Sequence, residues 1–575
     1  MMNQEGAAPE EVEKIFSNDY ADLLINYSGD PSILEKFENA TVRIINFFFA
    51  VVHIPVSQIT EDIVSVLGYA VIPSLFGLIS QASLEASGVG RIRNIPSFNL
   101  RGQGVLIGFI DTGIDYTNPI FQYADGTTRI AAIWDQTDRT GTPPEPGGYG
   151  SEYTREQINL ALQNENPLEI VPTRDENGHG TLIAGIAAGN EVPESGFYGV
   201  APDAELVVVK LKPAKPHLKN FFRIPEEATC FQENDIIFGF DYLTDTAIRL
   251  NRPLVICIAV GTSQGAHDGR GSLSGYVSLQ SGNIGVASVV AAGNEGNARR
   301  HYSGTVDPNT GYDTVELNVG ENESGFSMEI WSDSPNTYTI DILSPSGEYI
   351  SRLGASLDES REVTFIFERT IIRVDYQMVE SQSGDQLILI RFTEPAPGIW
   401  RFRVYGRSGG GAAQGFNIWL PMTGFISANT YFIRSDPYTT ILSIGNARIP
   451  ITITAYNVQD DSLYLNASRG YTRIGVIKPD LAAPGVDVIG PTLEQGFAAA
   501  TGTSISAAHA AGIAAMLMEW GVVRGNYPRM STVEMRVFLI RGARRNQALT
   551  YPNRDWGYGI LDIFNTFDVI RTGQS

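Results

Sequence analysis

Residues 104–110 are apolar at every non-glycine position (Gly104-Val105-Leu106-Ile107-Gly108-Phe109-Ile110) and run straight into Asp111-Thr112-Gly113. A strand without polar alternation is buried on both faces, which happens where helices cover a parallel sheet from both sides. The pattern that follows agrees. A small-residue helix is expected over 181–188 and a strand over 205–211, then a helix over 234–250 and a strand over 254–260. A helix over 273–283 and a strand over 286–292 continue the series. Strand and helix in alternation define an α/β fold, a parallel sheet with helices on both faces.

Two stretches depart from that rhythm. From 305 to 449 the helical period vanishes and about eight short strands recur, with Trp400, Phe402 and Val404 alternating against Arg401 and Arg403. One wet and one buried face per strand, at this spacing, predict an inserted β-sandwich of jelly-roll type. The α/β pattern resumes at 451–456, so the sandwich interrupts a single domain. At the other end, residues 1–18 read as a disordered leader. Strands at 21–27, 41–45, 47–54 and 70–72, with helices at 31–38 and 57–67, then give the order βαββαβ, a small split-βαβ unit. The expected boundaries are 1–81 for this unit, 82–99 for a linker, 100–304 and 450–575 for the interrupted α/β domain, and 305–449 for the insertion.

At 575 residues the chain exceeds one ordinary core. Its net charge of −23 argues against a nucleic-acid partner. Two cysteines, Cys230 and Cys257, exclude a disulfide framework and make a cysteine-based zinc site untenable. Met1 to Lys14 is polar and acidic and lacks the basic and apolar regions of a signal peptide. No stretch reads as a membrane span, so no membrane insertion is expected and a cytoplasmic location is. No complete metal-ligand motif is legible; no cofactor is expected to be required, and structural calcium is left open.

Three segments carry chemistry. Asp111 ends a buried strand, at the sheet edge where ligands bind in parallel sheets. His179, in Asn177-Gly178-His179-Gly180-Thr181, opens a helix. Ser504 sits in Thr501-Gly502-Thr503-Ser504-Ile505-Ser506-Ala507-Ala508-His509-Ala510-Ala511-Gly512, where small neighbours leave room for a substrate. On its own that serine could equally be the cap of a closely packed helix. Asp-Thr-Gly also suits an aspartic protease, but no second such motif supplies the paired carboxylate. Taken together the three make an acid, a base and a nucleophile: a hydroxyl needs a base near neutral pKa, and the imidazole needs a carboxylate to fix its tautomer. The other histidines, His53, His217, His267, His301 and His509, read as structural.

The order Asp, His, Ser, with Gly178-His179-Gly180-Thr181 and Gly502-Thr503-Ser504, resembles the subtilases, the subtilisin-like serine proteases. Ala292-Gly293-Asn294-Glu295-Gly296, residues 478–485 (KPDLAAPG) and Trp556-Gly557-Tyr558-Gly559 match that family too. The resemblance implies that Asp111, His179 and Ser504 are catalytic and that Asn294 donates its amide to the oxyanion. It implies that Gly261 and Gly293 line the substrate cleft. It also makes residues 1–81 a prodomain, acting as chaperone and bound inhibitor, and a protein or peptide the substrate. Ala508 stands where the family usually has proline before the histidine. That departure, the small N-terminal unit, Gly265-Ala266-His267-Asp268-Gly269 and the insertion are similar to the clostridial Csp germination proteases, which activate a spore-cortex hydrolase, and this resemblance implies a spore-associated location. Self-cleavage is expected between Gln81 and Ala82. The alternative reading is a catalytically silent subtilase that binds or senses.

Overall fold

In the computed structural model of the chain, residues 9–37, 40–79, 100–145, 148–353, 358–407 and 415–572 are described. The Leu106–Asp111 strand is buried at all six positions and stands in the middle of a nine-stranded sheet. Its neighbours are Leu254–Ile258 on one side and Glu205–Lys210 on the other, both parallel to it. Val286–Ala291, Ile451–Asn457 and Leu481–Pro484 extend the parallel set one way, and Ile130–Asp135 extends it the other. Antiparallel end strands Ser462–Leu463 and Ser151–Thr154 close the edges. The parallel α/β expectation holds, and Ile130–Asp135 and Ser151–Thr154 are additions to it.

The helix Thr503–Met518 lies against the Leu254–Ile258, Val286–Ala291 and Ile451–Asn457 strands and against the helix His179–Ala188. Its alanines and glycine let these elements approach closely: a Cβ on Gly512 would lie 2.5 Å from Val200 Cβ and 2.7 Å from the Ala187 carbonyl oxygen. The run Thr503–Val523 is long and apolar enough to cross a membrane, but 83% of its most apolar window is buried inside the protein, as befits a core helix.

The N-terminal unit departs from the sequence reading in three places. Pro9–Phe16 is a helix, because Val12, Ile15 and Phe16 share one face and pack into the core, with Phe16 edge-on to Tyr149. The helix expected at 57–67 shrinks to Ile63–Leu67, ended by Gly68 at φ +90°. Residues 70–72 do not form a fourth strand. The sheet has three, in the order Tyr20–Asn26, Phe49–Pro55, Thr41–Ile44, all antiparallel. Tyr69–Val71 is instead a 3-10 turn, because Tyr69 is held elsewhere: its amide donates to Gln377 Oε1 (3.0 Å) and its hydroxyl to Glu329 Oε1 (2.6 Å). The strand that follows, Leu75–Leu78, leaves the unit and pairs with the α/β domain.

The insertion consists of two antiparallel sheets over one apolar core. One runs in the order His301–Thr305, Gly415–Trp419, Gly325–Ser332, Leu387–Thr393, Ile371–Gln377, Asp358–Thr364; the other runs Tyr349–Leu353, Thr337–Leu343, Gly398–Arg407, Tyr312–Val319, Tyr431–Phe432. Phe392 meets Trp400 and Phe402 edge-on across the interior. Trp331 and Trp400 are fully buried and Trp419 nearly so, stacked between His267 and His301. These three indoles are therefore core residues and do not form an exposed sugar platform.

The sandwich touches the N-terminal unit directly. The Gln377 side chain accepts from Tyr69 N–H and donates to the Val64 carbonyl (3.1 Å). Arg391 donates to the Glu61 carbonyl and pairs with Asp375 at 2.9 Å. On the opposite side, Lys215 of the α/β domain donates to the Lys14 and Tyr20 carbonyls and to Asp22 Oδ1, which also faces His53 Nδ1 at 2.7 Å. Gln377→Ala leaves the buried Tyr69 N–H unpaired, at a cost of roughly 1–3 kcal/mol, while the Val64 carbonyl keeps its bond from Gly68 N–H (2.9 Å). The expected result is a lower denaturation midpoint at an unchanged m value, read by urea unfolding.

Candidate active site

The motif Gly178-His179-Gly180-Thr181 has a structural reason at every position. Gly178 caps the His179–Ala188 helix at φ +92°, a left-handed conformation that glycine adopts without strain. Asp175 satisfies the helix start: Oδ1 accepts from Asn177 and Gly178 N–H, and Oδ2 from Thr181 N–H and Oγ1. Gly180 is the contact point with the strand end, since a Cβ there would lie 2.1 Å from the Gly113 carbonyl oxygen. Its N–H donates to Thr112 Oγ1 at 2.9 Å. This close approach brings His179 Nδ1 to 2.7 Å from Asp111 Oδ1, both residues being buried.

Burial alone would depress the His179 imidazole. The Asp111 charge and hydrogen bond, with Asp175 farther away, outweigh it and raise the pKa above the usual 6.5. With Nδ1 engaged by the carboxylate, Nε2 is the free position, and among the described residues it has no hydrogen-bond partner. Ser504 Oγ likewise has none. Ser504 is the second residue of the Thr503–Met518 helix and is completely buried.

Asn294 links the serine loop to the cleft. Its Oδ1 accepts from Thr503 N–H (3.1 Å) and Oγ1 (3.2 Å), which turns Nδ2 outward. Nδ2 donates to the carbonyl oxygen of Ile79 at 3.1 Å. That carbonyl belongs to the chain's own N-terminal tail. Leu75–Leu78 lies between two cleft strands, antiparallel to Val260–Gly261 (Leu78 opposite Val260, Gly77 opposite Gly261) and to Phe231–Gln232. Ile79 N–H continues the ladder to the Ala259 carbonyl at 3.3 Å.

Of the two cleft glycines named from the sequence, Gly261 borders this tail, and both Gly261 and Gly293 pack against Leu442. A Cβ on Gly261 would lie 2.7 Å from Leu442 Cδ1 and 2.9 Å from Ile79 Cδ1. Gly293, at φ +111°, would place a Cβ 2.6 Å from Leu442 Cγ. Leu442 was not legible from the sequence; it sits after the sandwich and is pinned by Leu442 N–H to the Ala292 carbonyl and Ser443 N–H to the Thr262 carbonyl (both 2.9 Å). His267, in the Gly265–Gly269 stretch, holds the preceding Ile441 carbonyl at 2.8 Å. Gln81, Ala82 and the expected 82–99 linker lie outside the described residues. Among the described residues no group of three or more His, Cys, Asp or Glu is placed to hold a metal.

Comparison with known proteins identifies the family. A sequence profile of the subtilase family matches residues 102–351 and 432–559, and its interruption falls within the β-sandwich. The chain belongs to the subtilase family of serine peptidases. A subtilisin from Bacillus sp. (strain TA39) is 33% identical over 225 residues, 39% of this chain and 42% of that protein. The subtilisin-like protease SBT3 of Solanum lycopersicum is 26% identical over 72% of this chain and 55% of its own length. The chain thus spans between two fifths and three fifths of the length of these curated relatives. Among solved structures, the CspB protease of Clostridium perfringens superposes with a TM-score of 0.74 at 30% identity, over 83% of this chain and 95% of that one.

Gly180→Ala is expected to separate the helix start from the strand end, because the clash is with backbone, which cannot rotate away. Overpacking of this kind costs typically about 1–3 kcal/mol. The measurable result is a lower melting temperature together with loss of Ser504 labelling by a fluorophosphonate probe.

Proposed function

We propose that the chain is a serine endopeptidase whose nucleophile is Ser504, and that its first substrate is its own N-terminal tail. The observation that supports this reading most directly is the Ile79 carbonyl on Asn294 Nδ2, at the end of a strand laid between the two cleft strands. A carbonyl held there is where an oxyanion would form.

The steps follow from the side chains. Ser504 Oγ attacks the Ile79 carbonyl carbon while His179 Nε2 takes the hydroxyl proton. Asp111 stabilises the resulting imidazolium through Nδ1. Asn294 donates to the oxyanion, and the donor is already oriented by Thr503, so little reorganisation is needed. Collapse expels the Ser80 amine, which takes the proton from His179, and leaves an acyl-enzyme on Ser504. Water, deprotonated by the same imidazole, releases the Ile79 carboxylate. The proposed cut, Ile79–Ser80, lies two residues before the bond expected from sequence, because the strand pairing fixes which carbonyl meets Asn294. After cleavage the tail remains a paired strand, so the N-terminal unit acts as a bound inhibitor. The resemblance of the sequence to the Csp germination proteases supports a role in spore germination, with a cortex hydrolase precursor as the external substrate, and the structural similarity to the CspB protease adds to that resemblance.

The test is recombinant expression followed by intact mass and N-terminal sequencing. Wild type is expected to yield a second fragment beginning at Ser80 that co-purifies with residues 1–79. Ser504→Ala remains one chain, and Asn294→Ala slows the cut by about 10²–10³-fold. Ser504→Ala protein that is still cut after Ile79 would refute the assignment.

The pH profile gives a second check. His179 must be neutral to accept the proton, and its pKa is raised from 6.5, so the acid limb of kcat/KM on an external peptide is expected above pH 6.5. Asp111→Asn removes the two larger raising influences and leaves burial opposed only by the smaller one from Asp175. The limb should then fall below 6.5 while the rate drops on the order of 10⁴-fold. An acid limb below 6.5 in wild type would mean that a different group is the base.

A further inference from the structure

The tail is covered on a third side by the insertion. After the Gly415–Trp419 strand, the chain makes a turn at Met422-Thr423-Gly424-Phe425, closed by Phe425 N–H to the Met422 carbonyl at 3.0 Å, with Gly424 at φ +93°. This turn is anchored beside the oxyanion residue: Glu295 Oε1 accepts from Thr423 N–H (3.1 Å) and Oε2 from Thr423 Oγ1 (3.0 Å). Arg300 Nη1 donates to the Pro421 carbonyl at 3.3 Å. Met422 and Phe425 are 2% and 3% exposed and share the apolar core with Ile79 and Leu442.

Gly77, the third residue counting back from the proposed cut with Ile79 as the first, lies directly beneath. A Cβ built on it would stand 3.0 Å from Phe425 Cε1 and Cζ and 3.2 Å from Met422 Sδ. Alanine would press on these atoms, and any longer side chain would occupy the same space. The ring cannot swing aside cheaply, because it is packed on all sides and its turn is tied to Glu295. We propose that Met422 and Phe425 form a roof over the substrate strand that selects glycine at the third position before the cut, so that the inserted sandwich sets specificity. This rests on the reading of Leu75–Ile79 as a substrate-like strand. The substrate class it defines is an extended segment with glycine at that position and an aliphatic residue, packed against Leu442, at the cut.

The test uses the full-length protein. Gly77→Val is expected to slow self-cleavage after Ile79 by at least about tenfold, the scale of one overpacked contact. Phe425→Ala in that background is expected to restore the rate toward wild type, a rescue that general misfolding would not produce. Circular dichroism and melting temperature check that each variant is folded. A second measurement does not depend on self-cleavage: the peptide aldehydes Leu-Phe-Gly-Leu-Ile-H and Leu-Phe-Val-Leu-Ile-H compete with fluorophosphonate labelling of Ser504. The glycine peptide should compete at least about tenfold better, and Phe425→Ala should narrow that ratio. If wild type cuts at another bond, the reading of the tail fails, and the peptide ratio still decides whether the roof selects glycine. Equal competition by the two peptides, or folded Gly77→Val protein cut at the wild-type rate, would overturn the proposal.

Discussion

The site depends on one close backbone approach, Gly180 against the carbonyl of Gly113. A parallel sheet delivers Asp111 to its carboxyl edge, but an acid at a strand end has no function until a base is brought to it. The helix His179–Ala188 can start there only because residue 180 has no side chain, Gly178 takes a left-handed conformation, and Asp175 satisfies the exposed amides. The consequences follow in sequence. The Asp111–His179 bond forms, the imidazole pKa rises despite burial, and Nε2 is left as the free nitrogen. A motif that reads as four consecutive letters is thus a packing requirement and a chemical one at once.

A second dependence runs through Asn294. Its amide could rotate, so Thr503 fixes it by donating from both backbone and hydroxyl, and Thr503 Oγ1 in turn accepts from Gly293 N–H at 3.0 Å. The loop that carries Asn294 is therefore locked to the helix that carries Ser504. Glu295, the next residue, reaches the other way and ties the sandwich turn to the same loop. Asn294 and Glu295, adjacent in sequence, thus couple the donor to the Ile79 carbonyl to the serine helix and to the insertion.

What was legible in the sequence is what is local. Asp111, His179, Ser504 and Asn294 lie in short motifs whose neighbours explain them, and the buried strands and the sandwich declare themselves by period. What was not legible depends on partners far along the chain. Residues 70–72 have strand character, yet Tyr69 is pulled onto Glu329 and Gln377, 260 and 308 positions away, and a turn results. Phe425 reaches the tail because the insertion folds back over it, Leu442 because its backbone is pinned to Ala292 and its neighbour's to Thr262, and nothing in their own segments marks them. The fourth strand of the N-terminal unit was misplaced for the same reason: Leu75–Leu78 has the composition of a strand, but its partners are Val260–Gly261 and Phe231–Gln232, which belong to another domain.

The pairing of Leu75–Leu78 with the α/β domain holds the tail tightly. Leu75, Phe76 and Ile79 are 0%, 1% and 2% exposed in the cleft. At roughly 1.5–3 kcal/mol for each buried apolar side chain, they contribute about 5–9 kcal/mol before ordering costs, besides the backbone ladder on both edges. The tail is also tethered, so its rivals must compete with an intramolecular strand whose effective concentration reaches the millimolar range. The tethering unit is itself held by Lys215 on one side and by Gln377 and Arg391 on the other. A cut at the end of the strand would remove none of these contacts. The tail is therefore held in place by the grip of the sandwich and the α/β domain on the N-terminal unit, and not by the bond that follows the strand.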